Sequence, residues 1–258
     1  MNNKIKKILK KKNKSKIVCL TAYSKNIAEI IDDHADIVLV GDSLGSVLYN
    51  YDTTRKVSLN MMIEHAKSAR MGVKKSLLVI DLPYNTYRNK SEALKNSKKA
   101  IKETKCDAVK VEGGTRVKEI VKHLVKNKIP VLGHIGITPQ TAKGKFRSKG
   151  KNESEIRKLL KDARDLEQSG AFGMVLECIY SDISKQITNA INIPTIGIGA
   201  SVNCDGQVLV TDDLIGLNET KFRFVKKFGN IKKDIKSAVI KYKNSVKQKK
   251  FPSKKNSY

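Results

Sequence analysis

Residues 38–45 read VLVGDSLG, an apolar run that ends abruptly in a glycine, a carboxylate and a hydroxyl. The apolar residues are consecutive and do not alternate with polar ones, which is typical of a parallel-sheet strand buried on both faces. Loops accept polar residues freely, so Asp42 could simply mark the end of the strand. Our hypothesis is that Asp42 is one of several acids gathered at one end of a barrel.

Seven other runs of this kind alternate with amphipathic stretches along the chain. The predicted strands lie within residues 16–23, 36–43, 76–83, 107–114, 130–137, 172–179, 194–201 and 206–213. The predicted helices between them include residues 58–72, 90–105, 116–128 and 153–170. This alternation predicts a parallel sheet covered by helices, and eight strands favour an α/β fold of the (β/α)₈ TIM barrel type. An open doubly wound sheet is the alternative, although no GxGxxG motif opens the first helix.

Both ends of the chain are basic, and the sequence predicts a helix near each of them. Ile5, Ile8 and Leu9 follow i, i+3, i+4 spacing, which predicts a short helix that rests one apolar face on the body. Residues 231–250 predict a last helix, and residues 252–258 predict a disordered basic tail. Because no linker or internal repeat divides the chain, we expect a single barrel domain over residues 1–251.

The composition favours a cytoplasmic enzyme over a nucleic-acid-binding or membrane protein. The 258 residues carry a net charge of +27, mostly from lysines, whereas aromatic residues make up 5% and Trp is absent. Base readers use focused arginines and single-strand binders interleave aromatic residues with the charge, so we do not expect nucleic-acid binding. No apolar run approaches the roughly 18 residues of a membrane span. Four scattered cysteines without a CxxC pair indicate reduced thiols.

Four acids each end or follow a different predicted strand, namely Asp42, Asp81, Glu112 and Glu177. In a (β/α)₈ barrel the carboxyl ends of all strands open onto one face, where active sites lie. Converged carboxylates repel one another unless a cation compensates, and oxygen ligands suit Mg²⁺ better than zinc. Any one of these acids could instead cap the following helix, but that explanation is weaker for four together.

Two basic side chains lie in the predicted strands beside these acids. Lys110 and Glu112 are two residues apart, so both side chains point to the same side of their strand. A lysine inside a buried strand needs a partner or an anionic ligand. His134 lies in the next strand and is a candidate second-layer residue behind the acids, with an ordinary core histidine as the alternative.

Seven segments in this order resemble the ketopantoate hydroxymethyltransferase family. They are VGDSLG (40–45), DLPY (81–84), VKVEGG (109–114), GHIGITPQ (133–140), LEC (176–178), IGIGA (196–200) and DGQVLV (205–210). The resemblance spans roughly residues 5–250. It implies a (β/α)₈ barrel, a homo-oligomer of decameric size, Mg²⁺ and the co-substrate 5,10-methylenetetrahydrofolate. The implied reaction adds a hydroxymethyl group to 3-methyl-2-oxobutanoate and gives 2-dehydropantoate.

The resemblance also implies a role for each site residue. Asp42 and Asp81 would bind the metal and lie against the substrate, and Glu112 would complete the metal environment. Ser43 and Lys110 would hold the carboxylate of the oxo acid, and Glu177 would be the catalytic base. A metal-polarised carbonyl makes the C3 proton of a 2-oxo acid removable by a nearby carboxylate. No folate-binding residue is assigned.

The chain departs from the family pattern mainly in residues 144–150, which read GKFRSKG. Lys145 and Phe146 stand where the family commonly has Gly and Tyr, in a loop that could cover the site. Asp212 and Phe222 also differ from the residues commonly found there. One alternative function is another Mg²⁺-dependent oxo-acid lyase or mutase in a similar barrel, although the cysteine-bearing loop such as KCGH that such enzymes usually carry is absent. The alternative from another class is a basic nucleic-acid-binding protein, which the composition does not favour.

Overall fold

The computed structural model describes residues 2–142, 147–219 and 222–258. Within these residues, eight parallel strands form a closed barrel in which each strand pairs with its sequence neighbours and the last pairs with the first. The strands are β1 (Ile17–Thr21), β2 (Ile37–Val40), β3 (Leu77–Asp81), β4 (Ala108–Glu112), β5 (Val131–Gly136), β6 (Gly173–Glu177), β7 (Thr195–Ile198) and β8 (Gly206–Leu209). Each lies inside a predicted segment, so the predicted TIM barrel is confirmed.

Helices alternate with these strands. They are α1 (Asn3–Lys10), α2 (Lys25–Ile31), α3 (Leu44–Tyr49), α4 (Leu59–Gly72), α5 (Lys90–Thr104), α6 (Lys118–Lys126), α7 (Glu153–Gln168), α8 (Ser181–Ala190), α9 (Thr211–Leu214) and α10 (Ile231–Lys247). Short 3₁₀ turns cover Thr54–Lys56 and Thr115–Val117. The helix predicted over 116–128 begins at Lys118 in the structure, two residues later than predicted, because the preceding residues form the second of these turns. None of the described helices is long and apolar enough to cross a membrane.

The strands are apolar on both faces because they separate two hydrophobic cores. In β2, Ile37 and Leu39 belong to the core inside the barrel, whereas Val38 and Val40 belong to the core beneath the helices. Successive side chains of a strand point to opposite faces, so residues two apart share one core. The inward row of β3 starts with Leu77 and Val79, and its next member is Asp81.

Helix α1 packs on the barrel, as the sequence predicts. Ile5 and Ile8 are buried in the same cluster as the residues inside the barrel, and Leu9 packs against that cluster. After the helix, Lys12 Nζ lies 2.9 Å from Asp205 Oδ2, just before β8. Both side chains are buried, which anchors the start of the chain to the amino end of the last strand. The acids Asp81, Glu112 and Glu177 end their strands at the opposite, carboxyl end of the barrel.

The chain divides into two compact units, one of residues up to Val210 and one from Thr211 onward. The first contains the whole barrel, and the second contains α9 and α10. Helix α10 confirms the helix predicted over 231–250, and residues 248–258 contain no helix or strand. The boundary of the barrel domain at residue 251 and the disorder of the tail stay predictions.

Candidate active site

The four predicted acids occupy equivalent positions at the carboxyl ends of their strands. Asp81, Glu112 and Glu177 are the last residues of β3, β4 and β6. Asp42 follows the last residue of β2 by two positions. Asp42, Asp81 and Glu112 are buried, whereas the side chain of Glu177 is 21% exposed. Glu177 is therefore the acid that incoming molecules reach most easily.

Asp42 and Asp81 are in direct contact. The backbone N–H of Asp42 donates to Asp81 Oδ2 at 3.1 Å. Burial and the charges of Asp81 and Glu112 raise the pKa of Asp42 to about 8. The charge of Lys110 and a hydrogen bond from Gln140 act in the opposite direction and lower this pKa. Burial, the largest of these influences, and the two neighbouring carboxylates thus disfavour the charged form of Asp42.

Lys110 is the cation beside this pair. Asp81 and Lys110 are register partners on β3 and β4, and Lys110 Nζ lies 2.9 Å from Asp81 Oδ1. Burial lowers the pKa of Lys110, but the charges of Asp81, Glu112 and Asp42 outweigh burial and raise it. Lys110 therefore keeps its positive charge, which is the state that attracts an anionic substrate.

His134 connects the remaining two acids. It is the register partner of Glu112, and its Nδ1 lies 3.3 Å from Glu112 Oε1. Its Nε2 lies 3.1 Å from Glu177 Oε2 on the other side of the ring. Both distances are those of ion pairs, although neither ring N–H is aligned for a hydrogen bond. His134 is thus a buried link between two carboxylates, not an ordinary core histidine.

The charges around His134 set its protonation. Burial and the charge of Lys110 lower the pKa of His134, but Glu112 and Glu177 act more strongly and raise it to about 9. The pKa of Glu112 is lowered, because His134, Lys110 and the backbone N–H of Gln140 outweigh the effect of burial. At neutral pH the ring is a cation that faces two anions.

Ser43 lies next to Asp42 at the start of α3. Its Oγ is 2.8 Å from the hydroxyl of Tyr23, which follows β1. Tyr23 is buried, so its hydroxyl fixes the direction of the Ser43 side chain. Sequence reasoning did not single out Tyr23, although its position just beyond a strand end was a usable signal.

Gln140 and Tyr87 were also missed. The side chain of Gln140 donates to Asp42 Oδ2 at 2.8 Å, and its backbone N–H donates to Glu112 Oε2 at 3.1 Å. The hydroxyl of Tyr87 donates to Gln140 Oε1. Both residues lie in loops after strands, where period-two alternation gives no guide to direction. The quoted segment GHIGITPQ contained Gln140 but did not indicate its contacts.

Comparisons with known proteins identify the family. A family model described as Ketopantoate hydroxymethyltransferase matches residues 2–254. A protein of Pelagibacter ubique (strain HTCC1062), named 3-methyl-2-oxobutanoate hydroxymethyltransferase, is 62% identical over 100% of both chains. The chain belongs to the ketopantoate hydroxymethyltransferase family. A relative of the same name from Rhizobium etli is 47% identical over 92% of this chain and 88% of its own.

Membership of the ketopantoate hydroxymethyltransferase family makes the chain a one-carbon transferase of the first step of pantothenate biosynthesis. Solved structures of low identity share its fold. A phosphonopyruvate hydrolase in complex with oxalate and Mg²⁺ has a TM-score of 0.63 at 9% identity and covers 99% of this chain and 93% of its own. A 2,3-dimethylmalate lyase has a TM-score of 0.61 at 13% identity, over 100% and 89% of the two chains. The alternative of a lyase or mutase is not favoured, because these likenesses concern the fold alone.

Cys178 follows Glu177 but does not behave as a nucleophile. Burial and the adjacent Glu177 charge raise the pKa of its thiol to about 11, so the thiolate is scarce at neutral pH. All four cysteines are free. That they are reduced thiols stays a prediction.

The sequence predicts the main departure from the family pattern in residues 144–150, in the segment that follows β5. Lys145 and Phe146 lie outside the described residues. Gly136, at the end of β5, has φ +102°, and a Cβ there would lie 2.1 Å from the carbonyl oxygen of Glu177. Only glycine fits, and it brings the start of the loop against the end of β6, where Ile137 N donates to Glu177 O at 2.9 Å.

The donors at this end of the barrel suit the Mg²⁺ that the family implies. The carboxylates of Asp42, Asp81 and Glu112 offer oxygen only, and Asp81 Oδ1 is buried without an aligned hydrogen bond. In the described part of the chain, no three Asp, Glu, His or Cys side chains form a ready-made cage. Mg²⁺ retains several waters and is bound through one or two carboxylates in many enzymes.

Proposed function

We propose that the protein transfers a hydroxymethyl group from 5,10-methylenetetrahydrofolate to 3-methyl-2-oxobutanoate and forms 2-dehydropantoate, with Mg²⁺. The observation that carries the proposal is the placement of Asp42, Asp81 and Lys110 in one buried cluster with Glu177 at its exposed margin. Such a cluster offers oxygen donors for a metal, a cation for an anionic substrate and a carboxylate that can act as a base. The relatives named above support this choice of substrate.

Asp42 and Asp81 would hold Mg²⁺, and Glu112 would complete its surroundings from the neighbouring strand. When bound, Mg²⁺ supplies Lewis acidity that makes the C3 proton of a 2-oxo acid more acidic. Ser43 and Lys110 would bind the substrate carboxylate, Ser43 as a hydroxyl donor and Lys110 as a buried cation. Asp42 and Asp81 also border the same substrate position.

Glu177 would be the catalytic base. His134 Nε2 lies 3.1 Å from Glu177 Oε2, so the imidazole ring fixes the direction of this carboxyl group. The carboxylate takes the C3 proton. Of the two carbon–nitrogen bonds that hold the one-carbon unit in the folate, one is replaced by the bond to C3 and the other by a bond to the oxygen of one water. Tetrahydrofolate leaves with the C3 proton and one water proton on its two nitrogens.

The surroundings of the enzyme follow from the same proposal. We expect a cytoplasmic homo-oligomer, decameric by family resemblance, with small-molecule substrates. Helix α10 supports assembly, because none of its residues is buried. Its apolar residues Ile235, Val239, Tyr242 and Val246 are 43–59% exposed and follow a helical spacing. A stripe of this kind is typical of a surface that packs against another chain.

The first test follows proton exchange at C3. The protein is mixed with 3-methyl-2-oxobutanoate and Mg²⁺ in D₂O without folate, and the C3 proton signal is followed by NMR. We expect metal-dependent loss of this signal in the wild type and a decrease of roughly 10²–10⁴-fold in its rate in Glu177→Gln. Unchanged exchange in Glu177→Gln would assign the base to another residue.

Absence of exchange in a folded wild-type protein has two possible causes. Adding 5,10-methylenetetrahydrofolate to the same tube separates them. Product formation would show a site that needs folate before it enolises the substrate. No product with folate present would contradict the proposed reaction. Asp52→Asn is a suitable control for charge loss, because Asp52 is exposed and, among the described residues, forms an ion pair with Lys56 alone.

A further inference from the structure

We propose that Gln140 is a positioning residue that holds Asp42 and Glu112 in their metal-binding orientation, with the Tyr87 hydroxyl fixing the direction of its amide. The inference deepens the proposed function and rests on it, because it concerns the proposed metal ligands. Gln140 has no assigned role in that function and does not itself contact the substrate in it. Its role is carried by its hydrogen bonds alone.

Gln140 joins two acids that come from different strands. Its Nε2 donates to Asp42 Oδ2 at 2.8 Å, and its backbone N–H donates to Glu112 Oε2 at 3.1 Å. Asp42 is attached to β2 and Glu112 ends β4, so a single residue sets the separation of their carboxylates. Each acid gives one oxygen to Gln140 and keeps its second oxygen for other partners.

The amide of Gln140 has one favourable orientation. Its Nε2 also donates to the carbonyl oxygen of Leu82 at 3.0 Å, so both N–H groups face acceptors. Reversing the amide would place its oxygen against two acceptors in a buried site. The Gln140 side chain is thus fully paired, which is the condition under which a buried polar group gives a rigid arrangement.

Tyr87 reinforces this orientation from the opposite side. The backbone N–H of Glu112 donates to the Tyr87 hydroxyl at 3.3 Å, which leaves the hydroxyl hydrogen free to point at Gln140 Oε1. A tyrosine hydroxyl is an ordinary donor at neutral pH. Tyr87 therefore acts as a donor to Gln140, and only an amide oxygen can accept at that position.

Arg55 holds the main chain of the same loop. Its Nε donates to the carbonyl oxygen of Gln140 at 2.9 Å, and its Nη2 donates to that of Ala142 at 2.7 Å. The guanidinium also lies 5.5 Å from the centre of the Tyr84 ring. Backbone and side chain of Gln140 are thus restrained independently, by Arg55 and by Tyr87.

Residues that hydrogen-bond to metal ligands orient those ligands, and their loss typically lowers metal affinity by about 10–100-fold. Gln140→Leu keeps the size of the side chain and the backbone bond to Glu112 but removes the bond to Asp42. Tyr87→Phe removes only the hydroxyl. The matched control is Tyr84→Phe, because the Tyr84 hydroxyl makes no hydrogen bond within the described residues.

The experiment measures Mn²⁺ binding by electron paramagnetic resonance, without substrate, with Mn²⁺ as a probe for Mg²⁺. Thermal unfolding of each variant checks that the protein is folded. We expect the Mn²⁺ dissociation constant to rise by about 10–100-fold in Gln140→Leu and by a smaller factor, above about twofold, in Tyr87→Phe. Tyr84→Phe should bind as the wild type does.

A purely structural role would lower the unfolding temperature and leave Mn²⁺ affinity unchanged in the folded variants. That result would overturn the inference and leave the proposed function intact. Wild-type protein that binds no divalent ion would contradict both the inference and the metal role on which it rests. If Gln140→Leu does not fold, Tyr87→Phe decides, and an affinity equal to that of Tyr84→Phe would overturn the inference.

Discussion

His134 Nε2 lies 3.1 Å from Glu177 Oε2, and the opposite ring nitrogen lies 3.3 Å from Glu112 Oε1. One buried ring therefore joins the proposed base to the proposed metal surroundings. The ring is a register partner of Glu112, so the strand pairing itself fixes this arrangement. We therefore expect a change in the proposed base to affect the proposed metal acids, and the reverse.

We expect His134→Gln to lower kcat for the overall reaction by up to about 100-fold, because Glu177 loses the cation that orients it. KM for the oxo acid should change little, since Lys110 and Ser43 remain. Steady-state kinetics with varied oxo acid measures both constants. His123→Gln on α6 is the control, because His123 lies on the helix layer and not at the strand ends. An unchanged kcat would assign the orientation of Glu177 to another group.

We expect Lys110→Met to raise KM for the oxo acid by about 10–100-fold, because a buried cation opposite the substrate carboxylate is removed. The variant should also unfold at a lower temperature, since Asp81 is left in a buried position without its ion-pair partner. Kinetics at a temperature well below unfolding separates the two effects. Lys25→Met on the surface provides the control. A KM equal to the wild-type value would exclude the carboxylate contact.

We expect Asp81→Asn to require a higher Mg²⁺ concentration for half-maximal C3 exchange, because a negative oxygen ligand is replaced by a neutral one. The shift should be at least about tenfold, in line with the loss of a charged ligand at a buried site. A titration of exchange rate against Mg²⁺ measures it. An identical titration curve for wild type and variant would count against Asp81 as a ligand.

Asp32 gives a prediction about pH and stability. Its carboxylate accepts backbone N–H bonds from Lys74, Lys75 and Ser76 at 2.8–2.9 Å. Burial raises the pKa of Asp32, but these hydrogen bonds outweigh burial and lower it. The pKa of Asp32 is therefore lower in the folded protein than in the unfolded chain. The stability that Asp32 contributes is fully present above the pKa of the unfolded chain and is lost as the pH falls through the pKa of the folded protein.

We therefore expect Asp32→Asn to reduce the free energy of unfolding at pH 7 by about 1.5–3 kcal/mol. The difference in free energy of unfolding between variant and wild type should shrink as the pH falls below about 4, where Asp32 begins to protonate in the unfolded chain. Urea unfolding at several pH values measures this. Asp33→Asn on the neighbouring residue is the control, because Asp33 is exposed and forms a surface ion pair with Lys75. Equal effects of the two substitutions would contradict the assignment.

The barrel and most of its acids could be predicted from the sequence for a physical reason. Strands between two cores must be apolar on both faces, so they are visible as short runs of Val, Ile and Leu. A polar residue on the inward row, such as Asp81 after Leu77 and Val79, stands out against that background. Lys110 and Glu112 were paired by the same period-two argument, and the structure places both in the buried cluster.

The contacts of Gln140, Tyr87 and Tyr23 could not be predicted. These residues follow strands in segments whose backbone direction depends on distant contacts, such as Arg55 binding the main chain of Gln140. Sequence periodicity carries no information about such contacts. The contact between His134 and Glu177 could not be predicted either, because the two residues are not register partners. Glu177 lies two residues beyond Val175, the register partner of His134, and the sequence does not reveal this pairing.

The buried pair of Lys12 and Asp205 has a consequence for synthesis on the ribosome. The two residues are 193 positions apart in the chain, and β1 pairs with β8 in the same region. At about 5–20 residues per second, the first strand emerges roughly 10–40 s before the last strand that completes its edge. Until then α1 and β1 expose apolar surface and an unpaired strand edge in the nascent chain. A chaperone that shields this amino-terminal segment during elongation would act at the step where the growing barrel is most vulnerable to aggregation.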